Sequence, residues 1–236
     1  MRWSGAGHVS PRQFAYIELL ACVAEPLSMS LELELHGRRT AWLTARLCAV
    51  LDVGRFEARD WTVAALTHDI GKFDVPPELL ARPGALTGEE HRIVQLHCMS
   101  GADRLAKCAG PDADDTTTAA IAVALSHHEW WNGEGYPFGL AGRAIPLCAR
   151  IVAVADVVDA LTSVRSYKAA WSLDAALGEI AAKRGLQFDP DCADAMQAVA
   201  RALPQDWRSV AEGARFSVIE PRHDSSSNPG GSTGRA

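Results

Sequence analysis

The sequence has no basic excess. Lys and Arg number 23 against 29 Asp and Glu, for a formal net charge of −6. No global positive field draws the chain onto a DNA or RNA polymer or an anionic membrane. An anionic substrate would have to be held by local cations or by bound metal ions. There is no long apolar run. The longest stretch free of Asp, Glu, Lys and Arg runs from Thr116 to His128, too short to insert across a bilayer. The N-terminus lacks the apolar core of a secretory signal. None of the six cysteines forms a Cys-x-x-Cys pair. That argues for reduced, packed thiols in the cytoplasm, and against a disulfide framework or a structural zinc site. No β-hairpin signal and no internal repeat stand out.

What remains is a globular composition, 48% hydrophobic and 22% charged over 236 residues. The chain reads as all-α. A short apolar segment covers 14–24. Helical spacing of Leu35, Trp42, Leu43, Leu47 and Val50 predicts a helix from about Leu31 that stops at Gly54. Further helices are expected over about 57–70, 113–128 and 147–163. Thr87 and Glu90 form a capping box opening a helix to about Lys107. Ser172 caps a helix to about Arg184, and Asp189-Pro190 opens one to about Ala202. The Gly-rich stretch 129–146 is a long loop of the kind usually kept for function. The Ser/Gly-rich end beyond Pro221 has the composition of a disordered tail.

The chemistry lies in the histidines. His36, His68, His97, His127 and Asp156 follow one another at intervals of 32, 29, 30 and 29 residues. A helix and its return loop take about that length, so successive helices of a bundle could deliver ligands to one point. His68-Asp69 pairs an imidazole with a carboxylate that can bridge two cations. Glu32 and His36 are one helical turn apart and share a face. His127 and His128, as neighbours, diverge on a regular helix. They serve two metals, or lie where the helix unwinds. Read singly, each is a helix cap, a solvated pair or a packed histidine. Together they argue for a multinuclear site whose oxygen and nitrogen donors favour Fe or Mn over structural zinc. Two or three such divalent ions would generate hydroxide and clamp the oxygens of a phosphoryl displacement.

His68-Asp69-Ile70-Gly71-Lys72 resembles the signature of the HD phosphohydrolases. His127-His128-Glu129, then Trp131-Asn132-Gly133 and Gly135-Tyr136-Pro137, resemble the HD-GYP subgroup. Ile145-Pro146-Leu147, the stretch Ala155 to Thr162, and Arg165-Ser166-Tyr167-Lys168 follow in the same order, so the likeness runs from about Glu32 to Pro190. The resemblance implies an HD-domain helical bundle around a multinuclear metal centre, with a Gly-rich loop bearing Gly-Tyr-Pro. It implies hydrolysis of cyclic di-GMP, a bacterial second messenger, to pGpG or on to GMP by a metal-bridging hydroxide. It also implies roles. His68, Asp69, His97, His127, His128 and Asp156 would be the core ligands, with Asp69 bridging, and Glu32 and His36 the extra ligands of three-metal members. Lys72, Arg165 and Lys168 would hold phosphates, and Tyr136 would shape the loop over the substrate. Lys168 can also be read as a surface cation and Tyr136 as a packing residue.

Two positions depart from the pattern. Ser166 stands where the family usually has Pro, which loosens the turn carrying Arg165 and Lys168. Cys98 follows His97 where Pro is common. The expected organisation is a short helical extension at 1–30, with no room for a receiver or sensor domain, a catalytic domain at 31–205, and an extension at 206–236 ending in the tail. Three functions compete: an active cyclic di-GMP phosphodiesterase, a catalytically weak module that binds cyclic di-GMP or a protein, and a hydrolase of another nucleotide. All eight ligand positions are filled, which favours the first. A second copy of the chain or a signalling protein is the expected macromolecular partner.

Overall fold

A computed structural model describes residues 31–109, 113–164 and 169–214. Ten α-helices lie among them: α1 (Leu31–Val50), α2 (Arg55–Thr67), α3 (Pro77–Leu80), α4 (Gly88–Gln95), α5 (His97–Ala109), α6 (Asp115–Ser126), α7 (Leu147–Thr162), α8 (Leu173–Ala182), α9 (Pro190–Ala200) and α10 (Trp207–Glu212). Two 3-10 turns, Ile70–Asp74 and Gly142–Ala144, interrupt the connections. The described residues hold no strand, only isolated bridges joining Asn132 to Ala141 and Arg184 to Phe188. The expected segment 14–24, the tail beyond Pro221, and Arg165 to Lys168 lie outside the described residues.

Helices α1 and α7 are the axis of the bundle. α1 packs on α2, α7, α9 and α10, and α6 packs on α2, α5 and α7. Two apolar clusters result. Trp42, Leu43 and Leu47 of α1 meet Ile151, Val154 and Val158 of α7, with Phe188, Met196 and Trp207. Val63, Leu105, Val123 and Val152 form the other, with Ile70 of the first 3-10 turn. Burying side chains of this size stabilises by about 1.5–3 kcal/mol each. α10 lies in the stretch assigned by sequence to the extension, yet its Trp207 stacks on Trp42 with ring centroids 6.1 Å apart.

Several boundaries differ from the sequence reading for local reasons. α1 ends at Val50, because Asp52 takes a positive φ of 53°. Gly54 therefore caps the next helix rather than stopping this one. α2 ends at Thr67, and the chain tightens into the 3-10 turn. The Thr87–Glu90 capping box forms as expected. The helix it opens breaks at Leu96, and α5 restarts at His97. Ser172 and Asp189 cap α8 and α9 through their side chains.

Cys48, Cys98, Cys148 and Cys192 are buried, free thiols. Cys108 corrects the expectation of wholly reduced cysteines, since it is disulfide-bonded. No described helix is long and apolar enough to cross a membrane.

The 3-10 turn lies so close to α5 that Gly71 has no room for a side chain. A Cβ there would sit 1.9 Å from the His97 carbonyl oxygen and 2.5 Å from the Gly101 nitrogen. Both obstacles are backbone and cannot swing away. Gly71→Ala is therefore expected to lose stability at or above the upper end of the about 1–3 kcal/mol typical of overpacking. Urea unfolding measures this, and a wild-type midpoint would contradict the close packing.

Candidate metal centre

Three of the histidines occupy the same kind of place. His68 follows the last residue of α2, His97 comes two residues after the end of α4, and His127 follows α6. The last turn of a helix leaves backbone carbonyls without intrahelical donors. His68 Nδ1 donates to the Ala65 carbonyl at 2.8 Å, His97 Nδ1 to Val94 at 2.6 Å and His127 Nδ1 to Val123 at 2.9 Å. A carbonyl only accepts, so each proton sits on Nδ1 and each Nε2 presents a lone pair. His36, on α1, reaches the same region with its Nδ1 bonded to Asp159 Oδ2 at 2.7 Å.

The lone pairs converge on Asp69. Its Oδ1 lies 3.5 Å from His97 Nε2 and 3.7 Å from His127 Nε2. Its Oδ2 lies 3.4 Å from His68 Nε2 and 3.6 Å from His36 Nε2. Two donor groups follow, Asp69 with His97, His127 and His128, and His36 with His68 and Asp156. The two oxygens of one carboxylate face one group each. His127 and His128 join the same group because the helix stops at Ser126, the unwinding that the sequence left open.

Divalent ions fit these donors. Asp69 Oδ1 and His68 Nε2 are buried without a hydrogen-bond partner. His97 Nε2 and His127 Nε2 face each other at 3.5 Å with both Nδ1 protons committed elsewhere. A cation satisfies all four atoms, whereas apolar packing satisfies none. Protonation agrees. Burial pushes His97 down to about 4, and it drives His128, next to His127, well below the usual imidazole range. Burial opposes ionisation of Asp69 and Asp156, but Lys72 and the histidines beside Asp69, and His36 beside Asp156, hold both carboxyls well below the usual carboxylate range. His36 alone moves up. Burial lowers it, but its bonds to Asp156 and Asp159 outweigh that and raise it to about 9. Its Nε2 stands 3.1 Å from Asp156 Oδ1, where a proton occupies the position a metal ion would take.

The remaining expected residues divide. Lys72 pairs with Asp69 Oδ2 and is half-buried. Tyr136 stacks on His128 with centroids 4.8 Å apart. Glu32 is not brought into either group. Its carboxylate is 69% exposed and bound to Arg39 at 3.1 Å. Arg165 and Lys168 lie outside the described residues.

Sequence reasoning assigned no role to Glu129 or Asp159. The buried Glu129 accepts from Phe138 N at 2.7 Å and Leu140 N at 3.0 Å, which folds the Gly-rich loop back on itself. Gly135 sits inside that fold, where a Cβ would meet Trp130 N at 2.2 Å, and Tyr136 N bonds to the His128 carbonyl. Asp159 lies three residues after Asp156 on one face of α7, a spacing that could have flagged it.

The HD domain family model matches residues 22–192. Among curated proteins, the cyclic di-GMP phosphodiesterase response regulator RpfG of Xanthomonas campestris is 47% identical over 62% of this chain and 38% of its own length. A cyclic di-GMP phosphodiesterase of Thermotoga maritima is 34% identical over 83% of this chain and 51% of its own. The chain thus spans about half or less of these relatives. Among solved structures, an HDG"Y"P protein from Bdellovibrio bacteriovorus superposes with a TM-score of 0.59 at 20% identity, over 79% of this chain and 60% of that one.

The geometry predicts how metal content responds to mutation. His97→Ala and His36→Ala should each remove one ion per chain, and Asp69→Ala should remove both, because both groups share its carboxylate. Metal analysis of the purified variants checks this. Loss of a single ion in Asp69→Ala would contradict the shared carboxylate.

Proposed function

The chain belongs to the HD domain family, and from that premise we propose that it is a metal-dependent phosphodiesterase of the HD-GYP type that hydrolyses cyclic di-GMP. The observation that carries the reading is the Asp69 carboxylate, whose two oxygens face two separate histidine groups. That arrangement suits a pair of ions held side by side. Such ions, when bound, lower the pKa of coordinated water and offset charge on a phosphoryl group. The donors are nitrogen and oxygen without sulfur, which supports Fe or Mn. Two ions suffice for the groups seen, and a third would require Glu32 to leave Arg39.

The chain's own residues supply the rest. His68, His97 and His127 are buried, while His128 and Lys72 are half-buried and mark the side on which substrate arrives. Lys72 brings an ammonium group to the edge of the centre, where a phosphodiester oxygen would meet it. Burial raises Tyr136 above its ordinary value, so it remains a phenol, held against His128 to close one wall. Arg165 and Lys168 are assigned to the substrate phosphates on the family pattern alone. The product is pGpG or, where a second cut follows, GMP. The catalytic unit comprises residues 31–205 together with α10. We place it in the cytoplasm, where a nucleotide messenger is met, with a second copy or a signalling protein as partner.

The test is anaerobic purification, a metal count, and a time course resolving cyclic di-GMP, pGpG and GMP. Turnover by the metal-loaded chain, abolished by chelation, is expected. Tight binding of cyclic di-GMP without turnover would point to an effector instead. Faster cleavage of a cyclic dinucleotide containing adenine would change the substrate. Lys72→Ala should slow cleavage roughly ten- to a hundredfold with both ions retained, since a charged hydrogen bond is worth about 1.5–3 kcal/mol. A wild-type rate in that variant would remove Lys72 from phosphate binding.

A further inference from the structure

Beneath His36 lies a second polar layer, on the side away from the metal groups. Its centre is Asp159, which is 0% exposed. A buried carboxylate is costly unless every lone pair is met. Arg39, itself buried, donates from Nε to Oδ1 at 2.6 Å and from its NH2 group to Oδ2 at 3.1 Å. Oδ2 is also the atom that takes the His36 Nδ1 proton. Arg39 and His36 therefore share one oxygen, and a carboxylate held by Arg39 alone could pivot toward the guanidinium and release the ring.

Ser163 Oγ donates to Oδ2 at 3.3 Å, and a fourth hold comes from α10. Arg208 donates to Asp159 Oδ1 at 3.2 Å, and its other bonds, to Thr162 Oγ1 at 3.1 Å and Ser163 Oγ at 2.8 Å, fix the guanidinium against the end of α7. From the same helix Glu212 accepts from Arg39 at 2.8 Å. Trp207, stacked on Trp42, anchors α10 to α1. α10 thus grips both members of the Arg39–Asp159 pair, one turn beneath a metal donor.

We propose that Arg208 is a positioning residue for the metal centre: it fixes the Asp159 carboxylate so that His36 keeps its Nδ1 proton on Asp159 and its Nε2 turned toward His68 and Asp156. Loading of the His36–His68–Asp156 group then depends on α10 being docked, while the Asp69–His97–His127–His128 group does not. This rests on the metal reading above.

Removing a direct hydrogen-bond partner of a ligating histidine typically costs about 10–100-fold in metal affinity. Arg208 acts one bond further out and leaves Arg39 in place, so a smaller loss of about three- to tenfold is expected. The experiment titrates the metal-free full chain with Mn2+ and reads the two affinities separately, with a melting curve of each metal-free variant. Arg208→Gln should weaken one Mn2+ position, leave the other unchanged and leave the metal-free melting temperature within error of wild type. Arg208→Lys, which keeps the positive charge beside Asp159, should recover part of the loss. In a His36→Gln background Arg208→Gln should have no further effect on Mn2+, because the coupling runs through that ring. Wild-type affinities in Arg208→Gln would overturn the proposal. So would equal weakening at both positions with a lowered melting temperature, or a full additional loss in the His36→Gln background. A wild-type chain that takes up no Mn2+ would instead overturn the metal reading itself.

Discussion

The structure turns on one electrostatic demand: the Nε2 lone pairs of His68, His97 and His127 are buried with Asp69 Oδ1 and have no proton to share among them. The demand arises from where helices end. His68, His97 and His127 each follow a helix terminus and give their Nδ1 proton to a carbonyl that the last turn leaves free. Capping the helix and exposing the ligand atom are the same act. Helix C-termini also carry partial negative charge, so the ends that deliver these rings favour cations between them.

Everything nearby serves to hold that arrangement still. Gly71 lets the 3-10 turn lie against α5, which sets Asp69 between the two groups. Glu129 closes the Gly-rich loop and sets Tyr136 on His128. Asp159 and Arg39 hold His36 from behind. Such surroundings cost the protein stability wherever a charge is buried. They are stable because each charge meets an opposite one in fixed geometry, as in the forked contact of Arg39 on Asp159.

Much of this was legible in the sequence. The near-regular interval from His36 to Asp156 reports successive helix passes that bring these side chains to one place, and Tyr136 of the Gly-Tyr-Pro stretch lies against His128 there. Side-chain caps at Thr87, Asp189 and Ser172 were readable because capping is local. What escaped depends on distant partners. The contact of Glu32 with Arg39, two turns further along α1, was not read from the sequence, which paired Glu32 with His36 alone. The break at Leu96 has no Gly or Pro to announce it. Asp159 carries no signature beyond its spacing from Asp156, since its partners come from α1 and α10. Trp207 and Arg208 sit past the last recognisable motif, so only the fold reveals that α10 belongs with the core.

The central proposal is that the Asp69 carboxylate would be shared by two ions. Electron paramagnetic resonance of the Mn2+-loaded chain tests it most directly, because two ions sharing a carboxylate are magnetically coupled and separated ions are not. The account predicts a coupled spectrum at full loading, replaced in Asp69→Asn by the spectrum of isolated ions or by none. Isolated-ion spectra from a fully loaded wild-type chain would contradict it.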